Sequence, residues 1–334
     1  MPDLHKRQIL KSAAGLCAGA GIALGAVSAP AATARRSGVA FVLVHGGWHG
    51  AWCFERVAPA LAAQGHRVIA RDLPGHGLEA RFPAAYLARS GDASLAGEPS
   101  PIAAITLDDY VTRILESIDG LRATGHDKVV VLGHSMGGVV LNAVGERAPE
   151  KIDALVYLAA SMPASGVPGG AYFGYPEGAD ARVNPVLLGD PFKTGAFRID
   201  PRREDAVYRE ALREAFYNDA TETDFEAAAN LLTPDMPVKP AVTPITLTPA
   251  RWGSIERHYV LCTQDQAVPV ALARRFVAEA DAFVPARPTR VHTLQSGHSS
   301  FVTAPRALLG VLSEVAAGLA TGSAATSATR RQPA

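Results

Sequence analysis

One serine, one histidine and one aspartate occupy positions whose types and spacing suit acyl transfer. Ser135 lies in Gly133-His134-Ser135-Met136-Gly137-Gly138, between the apolar run Val129-Val130-Val131-Leu132 and the helix-like Val139–Ala143. G-x-S-x-G between a strand and a helix holds serine on a very tight turn with its hydroxyl exposed. Glycines on either side remove Cβ atoms that would clash there, and the helix N-terminus favours developing negative charge. A serine hydroxyl needs a base, and a histidine oriented by a carboxylate supplies one. His298, in Ser296-Gly297-His298, directly follows the strand-like Arg290–Leu294. Asp265, in Cys262-Thr263-Gln264-Asp265, directly follows the strand-like Tyr259–Cys262. The chain order serine, acid, histidine is one of the recurrent orders of such a triad.

The other histidines fit the role of base less well. His66, His126 and His258 precede strands, and His292 lies inside one. His45, His49, His76 and His134 all come before Ser135, and His5 lies near the N-terminus. Asp281 ends a helix, so Asp265 is the acid of choice. A tetrahedral oxyanion needs two backbone N–H donors. Met136, next to the serine, supplies one, and Gly47 in the turn His45-Gly46-Gly47-Trp48 supplies the other. His45 is expected to pin that turn. Trp48 and His134 flank the reacting groups and are the candidate substrate contacts.

The elements that must position these groups alternate. Val39–Val44 reads as a short buried strand, and Arg67–Ala70, Lys128–Leu132, Ala154–Ala159, Tyr259–Cys262 and Arg290–Leu294 read as further strands. Helical patterns lie between them, over Ala51–Ala63, after the cap residue Thr106, and over Ala271–Ala280. Alternation of this kind predicts an α/β fold, a mostly parallel sheet covered by helices on both faces, with chemistry beyond the strands' carboxyl ends. Residues 78–104 form a long polar connection. Residues 164–249 break the alternation with Pro, Gly and aromatic residues, then helical stretches over Arg203–Phe216 and Asp224–Leu232. They predict a cap inserted between the core segments 35–163 and 250–320. A terminal helix is expected over Arg306–Leu319, and residues 321–334 read as a disordered tail.

Composition excludes several classes. The 334 residues are 48% hydrophobic and 19% charged, with 32 basic and 32 acidic side chains. No basic excess points to nucleic acid. Of three cysteines, Cys53 and Cys262 could pair in an oxidising compartment but read better as buried thiols, and no His/Cys spacing suggests a metal. Lys6, Arg7 and Lys11, the Ala/Gly-rich stretch Ala13–Val27 and the Ala32-Thr33-Ala34 site read as an export signal over residues 1–34. Lys6-Arg7-Gln8-Ile9-Leu10-Lys11 is similar to a twin-arginine signal, with Lys in the first Arg position. Periplasmic or secreted localisation follows, and the stretch is too short and glycine-rich to span a membrane.

His45-Gly46-Gly47-Trp48-His49-Gly50-Ala51-Trp52, the Ser135 motif, Cys262-Thr263-Gln264-Asp265, Ser296-Gly297-His298 and Arg251-Trp252-Gly253-Ser254 together resemble the plant methylesterase and hydroxynitrile lyase family of the α/β-hydrolases, with its bacterial esterase relatives. The resemblance covers about residues 38–318. It implies the triad Ser135, Asp265 and His298, oxyanion donors Gly47 and Met136, free thiols at Cys53 and Cys262, and no cofactor. Lyases of this family carry a lysine directly after the catalytic histidine and a threonine in the oxyanion turn. Here those positions are Ser299 and Gly46, which disfavours cyanohydrin cleavage on charge grounds. The expected activity is a serine carboxylesterase acting on small to medium apolar or aromatic esters. The alternatives are a hydroxynitrile lyase-type enzyme and a slow-turnover ligand-binding homologue. The expected partner is a small-molecule ester; the oligomeric state is left open, a homodimer being one option.

Overall fold

A computed structural model describes residues 38–126 and 128–328. Strands β1 (Ala40–Val44), β2 (Arg67–Ala70), β3 (Val129–His134), β4 (Ala154–Leu158), β5 (Ala196–Arg198), β6 (Asp235–Pro237), β7 (Glu256–Cys262) and β8 (Arg290–Leu294) form two sheets. The large one has the order β2-β1-β3-β4-β7-β8, and every neighbouring pair is parallel. β5 and β6 pair antiparallel as a separate ribbon. The parallel sheet is thus the one the apolar runs predict.

The helices are α1 (Ala58–Ala63), α2 (Ala84–Ala88), α3 (Asp92–Gly97), α4 (Leu107–Ala123), α5 (Gly137–Arg147), α6 (Pro191–Thr194), α7 (Ala206–Tyr217), α8 (Glu222–Ala229), α9 (Val238–Val242), α10 (Val270–Phe283), α11 (Ser300–Thr303) and α12 (Pro305–Ala328). Side chains alternate across the sheet. Val42, Val131, Leu155 and Tyr259 pack with α4, α5 and α10 on one face. Phe41, Val130, Leu132, Val156 and Val260 pack with α1 and α12 on the other. α4 begins with a full capping box: the Thr106 hydroxyl accepts from Asp109 N–H, and the Asp109 carboxylate accepts from Thr106 N–H at 2.8 Å. This satisfies two orphan donors of the first turn.

Several expectations change in detail. The helical reading of Ala51–Ala63 splits into a 3-10 turn, Ala51–Phe54, and α1, because Pro59 starts a new helix more readily than it continues one. The 78–104 connection holds α2 and α3, and the Glu98 carboxylate accepts from Ala84 and Ala85 N–H at 2.7 and 2.8 Å. β7 starts at Glu256, three residues earlier than its apolar run. Buried Arg257 is tolerated there because its guanidinium donates to the Gly253 and Ile255 carbonyls at 3.2 and 3.3 Å and lies over the Trp252 ring. α12 continues past Leu319 to Ala328, into the stretch expected to be irregular, where Ala324, Ala325 and Ala328 favour helix. The leader reading, residues 1–34, and residues 329–334 lie outside the described residues. Among the described residues, no helix is long and apolar enough to cross a membrane.

Residues 163–249, between β4 and β7, carry β5, β6 and α6 to α9. This cap segment faces the carboxyl ends of β1, β3, β4 and β7, and an apolar cavity of about 220 Å³ lies between them.

Candidate active site

Ser135 follows β3 with φ of 53°, a left-handed conformation that is strained for a residue with a Cβ. The surrounding glycines let that turn exist. A Cβ at Gly133 would meet the Gly137 carbonyl oxygen at 2.7 Å, and one at Gly138 would meet the Ser161 oxygen at 2.1 Å. Backbone bonds complete the turn, with Ser135 N–H to the Leu158 carbonyl at 3.2 Å and Ser161 N–H to the Ser135 carbonyl at 3.0 Å. The result is a serine side chain on the wall of the cavity.

His298 and Asp265 come from the turns after β8 and β7, the last pair of the sheet. His298 Nδ1 lies 3.0 and 2.9 Å from the two Asp265 oxygens, and both residues are buried. The same carboxylate accepts from Ala267 and Val268 N–H at 2.8 and 2.9 Å. An anion so held keeps the imidazole proton on Nδ1, which leaves Nε2 as the basic nitrogen. Ser135 Oγ forms no hydrogen bond with any described residue, so the Asp265–His298 contact is closed while the serine stands apart from it. Such bonds commonly tighten only when substrate is present.

The turn after β1 is held by neutral histidines. Leu73 N–H donates to His45 Nε2 at 2.9 Å, so Nδ1 carries the proton and donates to the Gly46 carbonyl at 2.8 Å. The described residues contain no cis peptide. The next N–H, that of Gly47, therefore points to the opposite side. His49 Nδ1 donates to the Gly47 carbonyl at 2.8 Å, and its Nε2 accepts from the Tyr217 hydroxyl at 2.8 Å. Burial drives the His49 pKa down to about 3 and that of His76 to about 4, and puts those of His45 and His134 well below the usual value. The four are uncharged hydrogen-bonding struts near neutral pH.

Gly47, Trp48 and Met136 line the cavity beside Ser135. Trp48 adopts φ of 63°, and the cap segment holds it there: its indole donates to the Phe197 carbonyl at 2.9 Å, and its own carbonyl accepts from Thr233 N–H at 2.8 Å. His134 is not a substrate contact. It is fully buried behind the serine, with Nε2 donating to the His298 carbonyl at 3.1 Å and its ring against His298 and Phe301. Of the two residues next to Ser135, Met136 lines the cavity and His134 does not, a difference that sequence position alone conceals. The remaining walls are mostly apolar, including Phe173, Leu187, Phe197, Phe216 and Met236, with Ser161 and Asn184 as polar lining and no charged group. Cys53 and Cys262 are buried free thiols, and burial raises the Cys262 pKa to about 12. Among the described residues, no cluster of His, Cys, Asp and Glu has the form of a metal site.

Residues 41–311 match the alpha/beta hydrolase family. The chain belongs to that family. Within this hydrolase family it is 30% identical to methylesterase 7 of Arabidopsis thaliana over 83% of the chain and 95% of that protein. It is 28% identical to putative methylesterase 11, chloroplastic, of the same plant, over 83% of the chain and 63% of that protein. Among solved structures, a pyrethroid hydrolase from Sphingobium faniae JZ-2 shares the hydrolase fold with a TM-score of 0.66 and 23% identity, covering 83% of this chain and 97% of that one.

The sequence reading missed the residues that fix the site from the cap side: Tyr217, Asn218, Asp219 and Thr233. Asn-Asp after an amphipathic helix reads as an ordinary helix stop. Only the fold brings it to the strand ends.

Proposed function

We propose that this hydrolase is a serine carboxylesterase that works through an acyl-enzyme. Ser135 attacks the ester carbonyl while His298 Nε2 takes its proton. Asp265 holds the imidazole tautomer and stabilises the imidazolium. The N–H groups of Gly47 and Met136 receive the oxyanion, and neither has an acceptor among the described residues. The alcohol leaves with the proton from His298, which then activates water against the acyl-enzyme. The observation that carries this reading is the paired contact of His298 Nδ1 with the Asp265 carboxylate, behind a cavity-facing serine held at φ 53°. The named activities of the methylesterase relatives support an ester substrate.

The cavity favours neutral, small to medium apolar or aromatic esters. A volume of about 220 Å³ without a charged group offers nothing to compensate a desolvated substrate charge. The lyase reading is weaker. Ser299 is uncharged, and a Cβ at Gly46 would lie 2.7 Å from Ser135 Cβ, so the turn has no room for a hydroxyl-bearing side chain. Assaying p-nitrophenyl acetate hydrolysis beside cyanide release from mandelonitrile separates the two. Ester turnover without cyanide is expected, and the reverse would favour the lyase. Turnover far below once per minute across a broad ester panel would favour a binding protein.

Export completes the reading. N-terminal sequencing of the protein from its periplasm or medium is expected to begin at Arg35. An intact Met1 in the cytoplasmic fraction would contradict it.

A further inference from the structure

Two hydrogen bonds link the cap segment to the turns that carry the acid–base pair, and a third joins those turns to each other. After α7, Asn218 Nδ2 donates to the Gln264 carbonyl at 2.9 Å, on the peptide that leads into Asp265. Gln264 N–H donates to the Ser296 carbonyl at 3.0 Å. The other side of that Ser296–Gly297 peptide donates its N–H to Asp219 Oδ2 at 2.7 Å. The peptide one residue before His298 is therefore gripped from both sides, by the acid turn and by the cap.

Gly297 fits this grip closely. A Cβ there would lie 2.2 Å from Asn218 Oδ1 and 2.5 Å from Asp219 Oδ1. Both of those oxygens are buried without a partner, so neither is placed to serve a bond elsewhere. Tyr217, the preceding residue, reaches His49 on the oxyanion turn. One short cap segment thus touches the turns that bear Gly47, Asp265 and His298, leaving only the turn of Ser135 and Met136 untouched by these bonds.

We propose that Asn218 and Asp219 are positioning residues that set the register of Asp265 against His298. This rests on the triad reading above. The cap is then more than a wall for the substrate: it carries part of the frame that holds the base. A displacement of a reacting group by about 1 Å costs on the order of 10²-fold in rate. Loosening this frame should act on kcat, because the bond it guards is used after substrate has bound.

The test compares Asp219→Ala, Asp219→Asn and Asn218→Ala in p-nitrophenyl ester hydrolysis, with rates given per folded molecule from near-UV circular dichroism. Asp219→Ala should lower kcat on the order of 10²-fold with KM changed by less than about threefold. Asp219→Asn keeps an oxygen that accepts from Gly297 N–H, and should recover most of the loss. A looser carboxylate stabilises the imidazolium less, so the acid limb of the pH–rate profile should move to lower pH in Asp219→Ala. Gly297→Ala should show the same loss and add little to the Asn218→Ala/Asp219→Ala double variant. If Asp219→Ala leaves kcat per folded molecule and the acid limb unchanged, the proposal is overturned. Ser135→Ala run alongside separates the two ideas: hydrolysis surviving in that variant overturns the triad itself, whatever Asp219 does.

Discussion

Over the cavity the cap segment is bare of charge; along its edges it is dense with polar bonds. Phe173, Leu187, Phe197, Phe216 and Met236 face the space beside Ser135. The same segment fixes Trp48, Gln264 and Gly297 through Thr233, Asn218 and Asp219. Arg198 and Asp235 join its β5–β6 ribbon as a fully buried pair, with bonds of 2.6 and 2.8 Å, and Arg198 also donates to the Glu98 carbonyl at 2.7 Å. The difference separates two tasks. Apolar side chains select a ligand by size and neutrality, and they tolerate exchange. Directional bonds set the position of backbone that chemistry depends on, and they fail when one partner is lost.

The contrast can be broken most forcefully at its edge. Arg198→Met leaves Asp235 buried and unpaired, and should destabilise the protein by about 3–5 kcal/mol in urea unfolding. Arg198→Met/Asp235→Leu should recover most of that, since no charge is left uncompensated. Similar stability in the single and double variants would mean that the pair does not hold the edge.

A change on the cavity face should act on substrate choice. Leu187→Ala is expected to lower kcat/KM for a bulky aromatic ester about tenfold, while acetate esters change little. An equal loss for both would show that Leu187 supports the fold and not the selection.

The effect that appears only on acidification concerns the neutral histidines. The pKa of His76 lies at about 4 in the folded protein, below the usual 6.5, so the unfolded chain binds more protons between those values. Stability should therefore fall as pH drops through about 6.5 toward 4, by at most about 1.4 kcal/mol per pH unit for this group. His76→Gln should flatten the urea-derived stability profile by that amount in that window. An unchanged slope would show that His76 already carries a proton when folded.

Most of the sheet was legible because its central strands β1, β3, β4 and β7 contain continuous apolar runs, while the edge strands β2 and β8 carry polar residues and are partly exposed. Arg67–Ala70 and Arg290–Leu294 match residue for residue. The positions proposed for the triad stand out for the same reason, since each follows a strand. β5 and β6 were not: three residues each, separated by 36 along the chain, they carry no periodic signal and exist because Arg198 and Asp235 pair between them. His134 was misjudged because sequence gives adjacency to Ser135 but not direction. Asn218 and Asp219 were invisible because their partners are backbone groups of distant turns, which no residue type announces.

The account stands on Ser135 being the residue that forms the acyl-enzyme. A fluorophosphonate probe followed by peptide mapping tests this directly. One label per chain on the peptide containing Ser135 is expected, with labelling abolished in Ser135→Ala and ester turnover lowered on the order of 10⁴-fold. A label on another residue, or full turnover in Ser135→Ala, would contradict it.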